Sequence, residues 1–411
     1  MSNQATGVTT TTTAHSGDSV TPGVKFIVEI TLFLTYVLFA VAWQAGDHYI
    51  RSLGFTTSQA ALLTNAVSLA QAIGSLAAAN ILLRMGAKNA FTLASLLIVF
   101  GGSLSFFTAY PIVFLIRFVL GLGGALAVVY LSAIVARLFT GKPLQIANGV
   151  NSVAFNTGLA IALTLAAQKA NNPVAAVLIT ATLSIIVLIV WLIFARFVPK
   201  VTATESATDA SYTMRNGFSE WFNWVFALAY TGLLSYYIVA FTFMDPNTIR
   251  WVVYAGVIGA VTGTLTAARV PEQLKPVIVV VSAALQLVFA ALVLTLANTQ
   301  YEITVSVILG LVIFFPMPFF VQMAFMRPGV TPRQISVTFS IFWAVSYAFS
   351  VILVQIFAWI TDLTGGLAEN NTPVSAIPLI YIIFVEGTFL IGTIMLMVHL
   401  KKVRAAAQVQ S

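Results

Sequence analysis

Charge is what this sequence has least of. There are 19 Lys or Arg and 12 Asp or Glu among 411 residues, 8% of the chain, where a soluble globular domain carries about 25%. A soluble fold of this length could not dress its surface with so few. Cysteine is absent, which excludes disulfides, Cys-ligated zinc and thiolate chemistry. The three histidines are His15 in the opening segment and His48 and His399 beside span ends. They form no cluster with metal-ligand spacing and no pairing with a serine at shared depth, so no catalytic residue, metal or other cofactor is expected. There is no phosphate-binding P-loop either, so ATP is not the direct energy source.

What the chain does have is apolar surface: 59% hydrophobic residues and a mean hydropathy of +0.98. That content excludes intrinsic disorder. The apolar runs are continuous and helix-length, unlike the alternating segments of roughly ten residues in a membrane barrel. The fold class is therefore all-α and polytopic. The net charge of +7 does not mark a nucleic-acid partner, because the basic residues lie at the ends of apolar runs, where they act as topology signals. Residues 1–23 are polar and Thr-rich, with no basic segment followed by an apolar one, and are expected to be a disordered cytoplasmic tail rather than a signal peptide.

A hydrocarbon core of about 30 Å asks for about 20 apolar residues per helix. Twelve windows qualify: 26–43, 59–83, 90–109, 113–136, 147–167 and 174–197, then 221–243, 251–267, 277–296, 303–325, 335–360 and 377–398. The longest polar interval separates the sixth from the seventh. This gives an N-terminal six-helix bundle over 24–198, a cytoplasmic linker over 199–220, a C-terminal bundle over 221–400 and a cytoplasmic tail over 401–411. With the N-terminus inside, nearly all Lys and Arg fall on the cytoplasmic side; Arg51, Lys169 and Arg250 lie outside and Arg117 lies within a span. The acids Asp47, Asp245, Glu302, Asp362 and Glu369 share the outer loops on this reading. The expected location is the cell (inner) membrane, with both termini cytoplasmic.

The two halves repeat. Gly121 and Gln145-Ile146 in the first correspond to Gly310 and Gln334-Ile335 in the second, since 310 − 121 and 334 − 145 both give 189. Parallel halves of this kind belong to a transporter architecture with its substrate held at midplane. Three stretches carry a resemblance to the major facilitator superfamily. Arg117-Phe118-Val119-Leu120-Gly121-Leu122-Gly123 resembles its Arg-x-x-x-Gly-x-Gly signature. Arg84-Met85-Gly86-Ala87-Lys88 resembles the tail of its loop motif, although Leu83 replaces the family acid and Asn80 the family glycine. Arg269 to Lys275 occupies the place of the degenerate second copy. The resemblance spans residues 24–404 and implies two pseudo-symmetric six-helix bundles. It also implies that Arg84, Gly86 and Lys88 form a conformational loop, and that the first, fourth, seventh and tenth helices line a cavity. The segment from Trp359 to Gly365 has a fainter likeness to the cyanate and nitroimidazole group of small-solute permeases.

Within the spans, Arg117 is the most informative residue, since intramembrane charge is expensive and functional by default. It is expected to bind an anionic solute or to hold a proton-exchanging carboxylate. Gly121 and Gly124 follow on its face and, with Gly158 in the fifth span, allow close packing. Glu29, on a stripe with Tyr36 and with Gln44 near its edge, is the candidate partner of Arg117 and the candidate proton carrier; Glu386 in the last span is the second. Asn151, Tyr230, Tyr237, Gln322, Trp343 and Tyr347 complete the candidate cavity lining, and Pro316 and Pro318 interrupt the tenth span. These readings predict a monomeric secondary transporter moving a small organic solute, an organic anion by preference, by alternating access with proton coupling. The alternatives are a multidrug efflux antiporter of the same fold, or a channel.

Overall fold

The computed structural model describes residues 20–139, 141–168, 172–198, 212–267, 269–296, 299–327, 330, 332–368 and 373–410. Most of the expected N-terminal tail, and residues 199–211 of the expected linker, lie outside them. Among the described residues twelve helices are long and apolar enough to cross a bilayer. They are α1 Pro22–Ser52, α2 Thr57–Ala78, α3 Arg84–Phe106, α4 Tyr110–Val135, α5 Ile146–Leu165 and α6 Pro173–Phe197 in the first half. The second half has α7 Trp221–Phe243, α8 Thr248–Ala267, α9 Lys275–Thr295, α10 Glu302–Met326, α11 Val337–Leu363 and α12 Ala376–Ala406. With twelve helices the start of α1 and the end of α12 lie on one face, called here the terminal face; the other is the far face. Part of the expected linker is a short helix, Met214–Ser219, and the last helix continues through Gln410 into the expected tail.

Proline opens several of these helices, at Pro22, Pro111, Pro173 and Pro276, where its missing N–H costs no intrahelical bond. Within α10, Pro316 ends one helical piece at Phe314 and a second begins at Met317, because a proline cannot continue the hydrogen-bond ladder. α5 is likewise interrupted at Val153. α6 and α9 turn apolar faces outward, with Ile186, Ile189 and Ile193, and Val281 and Val288, exposed, as helices on the lipid perimeter must. α7 is the opposite: residues 231–244 are all buried.

The internal repeat is visible as packing. At Gly121 on α4, an added Cβ would strike Val67 O of α2 and come 2.8 Å from Ala70 Cβ. At Gly310 on α10, it would strike Val252 O of α8 and come 2.9 Å from Ala255 Cβ. The same close crossing of a fourth on a second helix is therefore built twice. Gly158 on α5 lies against Val37 O of α1, and at the matching crossing of α11 on α7 a hydroxyl takes over, Ser346 Oγ donating to Ala227 O at 2.9 Å. Gly124 faces the ring of Phe39 with no room for a Cβ. The halves meet along two seams, α2 on α11 and α5 on α8.

The kink in the first turn of α3 depends on Gly86, whose φ of 74° and ψ of 161° fall in a region that only glycine occupies without strain. Arg84 and Lys88 beside it are exposed. Gly86→Ala is expected to destabilise the fold by about 1–3 kcal/mol, read as a lowered melting midpoint of the purified protein. No change in that midpoint would show that the turn relaxes at no cost.

Candidate functional site

The buried polar groups between the halves form three layers. The layer nearest the terminal face holds Glu29 on α1 and Asn151 on α5. Glu29 is 9% exposed and Asn151 7%. The two side chains lie close enough to interact, yet neither the carboxylate oxygens nor the amide atoms make a complete hydrogen bond. An ionised carboxylate left without a partner in a protein interior is costly, and both oxygens of Glu29 are buried without one.

The central layer is phenolic. Tyr36 of α1, Tyr230 of α7 and Tyr347 of α11 converge, with the hydroxyls of Tyr36 and Tyr347 each in electrostatic reach of Tyr230. Gln71 of α2 stands at Tyr347 with its amide nitrogen unpartnered. Tyr237 lies within reach of Tyr230 and donates to Asn156 Oδ1 of α5 at 3.0 Å, bridging the halves. Aromatic rings wall the layer on both sides. Phe155 packs on Tyr36, Phe39 and Trp43, and Trp343 packs on Tyr230 and stacks on Tyr347 with 5.8 Å between centroids.

The third layer closes the far face. Gln44 and Arg51 of α1 donate to Phe241 O and Thr242 O of α7 at 3.0 and 2.6 Å. Asn65 of α2 donates to Val351 O of α11 at 3.1 Å, and Gln355 Nε2 donates to Ser58 O at 3.2 Å. Thr164 of α5 and Tyr254 of α8 share a 2.5 Å hydrogen bond on the other seam.

Arg117 belongs to none of these layers. Its guanidinium is fully buried between α1, α2 and α4 and pairs with Asp47. Nη1 donates to Trp43 O at 2.8 Å and Nε to Leu63 O at 3.4 Å, while Thr64 Oγ1 donates to Asp47 Oδ1 at 2.7 Å. This corrects two expectations. The partner of Arg117 is Asp47 rather than Glu29, and Asp47 is not an outer-loop acid, because α1 continues as a helix to Ser52 and Asp47 is buried within it. The apolar window ended at Trp43, and the more polar residues after it gave no sign that burial continues.

Other candidates are dispersed. Gln322 accepts from Lys275 Nζ at 2.7 Å near the terminal face, apart from the tyrosines. Glu386 is 2% exposed inside the second half, in electrostatic reach of Tyr236, with Oε2 and the Tyr236 hydroxyl both unpartnered. Tyr36, Tyr230, Tyr237, Trp343 and Tyr347 are brought together; Glu29 and Asn151 stand below them and Gln44 above. Sequence reasoning missed Asp47, Arg51, Gln71 and Asp362.

A helical membrane protein of two matched halves, with buried polar layers between them, is of the secondary-carrier class. The profile of the Major Facilitator Superfamily matches residues 28–410, and the chain belongs to that superfamily. It is a transporter rather than an enzyme. An uncharacterized protein of Campylobacter jejuni, Cj0987c, is 28% identical over 225 residues, 53% of this chain and 69% of that protein. Among solved structures, a mutant form of the nucleoside transporter NupG has a TM-score of 0.69 at 13% identity, over 91% of this chain and 99% of that one. The D-xylose-proton symporter has a TM-score of 0.64 at 14% identity, over 90% and 97%. The xylose transporter XylE from E. coli, inward open, has a TM-score of 0.64 at 12% identity, over 90% and 95%. These likenesses are of fold.

Proposed function

We propose that this protein transports a small uncharged solute with a flat or ring-shaped face, driven by protons taken up at Glu29. The reading places it in the cell (inner) membrane as a monomer with both termini cytoplasmic, working by alternating access. One observation carries the substrate assignment: the central layer offers phenols, amides and aromatic faces, while the nearby cation, Arg117, is already bound by Asp47. The organic anion expected from Arg117 thereby loses its ground, since a guanidinium with a buried carboxylate partner has little charge left for a solute. Tyrosine hydroxyls donate and accept, which suits a solute rich in hydroxyl or amide groups. The fold neighbours include a nucleoside transporter and a D-xylose-proton symporter, consistent with such cargo on this scaffold. Coupling rests on Glu29, an unpaired acid two helical turns before Tyr36, the residue of α1 that reaches Tyr230 of the second half.

A second reading, export of organic cations in exchange for protons, is favoured by the same unpaired Glu29 and by aromatic walls suited to cation–π contact. Uptake into vesicles reconstituted with the purified protein separates them. Under an imposed proton gradient, labelled sugars and nucleosides are expected to accumulate and to leak out when a protonophore is added. Accumulation of organic acids alone, or of quaternary ammonium ions alone, would overturn the proposal. With the solute in hand, Tyr230→Phe is expected to weaken its binding about two- to tenfold, the range for one hydrogen bond to a neutral group, with folding unchanged. An unaltered affinity would take Tyr230 out of the site.

A further inference from the structure

The contacts that shut the far face share one physical form. A helix leaves its first N–H and last C=O groups without intrahelical partners, and carries partial positive charge at its N-terminus and partial negative charge at its C-terminus. α7 ends at Phe243, and its last capping bond runs from Met244 N–H to Ala240 O. The carbonyls of Phe241 and Thr242 are beyond the reach of that ladder. Both are taken by the other half: Gln44 donates to the first and Arg51 to the second, at 3.0 and 2.6 Å.

The reverse contact is made on α2. Its N-terminus has a capping box in which Thr56 Oγ1 accepts from Gln59 N–H, and that leaves Ser58 N–H to be satisfied from elsewhere. Asp362, on the last turn of α11, accepts from Ser58 N–H at 2.8 Å and from Ser58 Oγ at 2.5 Å. A cation of the first half thus sits on a helix C-terminus of the second, and an anion of the second half sits on a helix N-terminus of the first. Each charge has the sign that its helix end favours.

We propose that the contact of Arg51 with the end of α7 and the contact of Asp362 with the start of α2 are two reciprocal latches that hold the far face closed, and that both must release for the central layer to open to that side. The proposal rests on the alternating-access reading. Helix ends suit this task because water can replace the side chain at each of them, so release leaves no buried group unsatisfied. Arg117 enters as a positioning residue. Through Trp43 O and Asp47 it grips the turns of α1 that carry Gln44 and Arg51. His48 steadies the same guanidinium, with Nδ1 3.2 Å from Arg51 Nη2.

The absence of cysteine makes the test direct. Thr242→Cys puts a thiol at a position 2% exposed beside the first latch, and Ser340→Cys puts one at a half-buried position near the terminal end of α11. The rate of maleimide labelling is measured on the purified full-length protein. With Arg51→Gln and Asp362→Asn together, labelling at position 242 is expected to rise about tenfold, the factor for two charge–dipole contacts, and each single change should give part of it. Labelling at position 340 should fall as the opposite side closes, and Arg51→Lys should restore most of the slow rate at 242. A rise at 242 with no fall at 340 would uphold the latches and overturn alternating access. An unchanged rate at 242 would overturn the latches, and so would a rise at both positions that Arg51→Lys does not reverse.

Discussion

Arg117→Ala is expected to abolish accumulation of folded protein in the membrane, together with transport. The substitution leaves Asp47 as an uncompensated charge at a position 2% exposed, and breaking a buried ion pair from one side costs about 3–5 kcal/mol. That is a large share of the about 5–15 kcal/mol by which native proteins are stable. Asp47→Ala should be equally damaging, for the mirror reason that it strands the guanidinium. The informative variant is the pair: Arg117→Met with Asp47→Leu removes both charges and is expected to recover most of the folded yield, measured as the monodisperse fraction after detergent extraction. Arg117→Lys keeps the charge but cannot serve Asp47, Trp43 O and Leu63 O from one fork, so partial yield is expected. Full folding of Arg117→Ala alone, with solute binding lost, would instead return Arg117 to the solute site.

Glu29→Gln is expected to remove proton-driven accumulation while leaving exchange of labelled for unlabelled solute largely intact. A gradient of one pH unit supplies about 1.4 kcal/mol for each proton that moves with a solute, which is about a tenfold concentration ratio. The variant should therefore bring the plateau of uptake down by about tenfold per pH unit imposed, towards equal concentrations on both sides. The amide keeps the size of the carboxyl and the neighbouring Asn151, so the fold is not expected to suffer. Glu386→Gln provides the comparison. Its carboxyl lies inside the second half against Tyr236 rather than between the halves, and the expected result is an unchanged plateau. If Glu29→Gln accumulates solute like the parent and Glu386→Gln does not, the proton site moves to α12. If neither variant changes the plateau, solute exchange without net proton movement becomes the mechanism.

The span count, the helical class and the pseudo-repeat were legible in the sequence because each rests on a long-range sum. Twenty apolar residues in a row make a membrane helix whatever their neighbours are, and the match between Gly121 and Gly310 persists because both must admit a backbone carbonyl of the adjoining helix. Tyr36, Tyr230, Tyr237, Trp343 and Tyr347 were also within reach, since polar-tipped aromatics on one helical stripe are conspicuous among Leu, Ile and Val. Asp47 was not. It lies just past an apolar window, and nothing local separates a buried last turn from the start of a loop.

By itself, then, the sequence determined that this chain spans a membrane in twelve helices of two matched halves, because hydrophobic length and helical period are properties of single segments. It also marked Arg117 as a charge that must have a partner. Which acid that partner is, and whether the guanidinium faces a solute or a neighbouring helix, was decided only when α1, α2 and α4 packed together. The far-face contacts have the same origin. Arg51 meets the end of α7 some 190 residues away, and Asp362 meets the start of α2 some 300 residues away. A charge near a span end carries a topology signal that can be read locally, but the helix end it finally satisfies is chosen by tertiary packing.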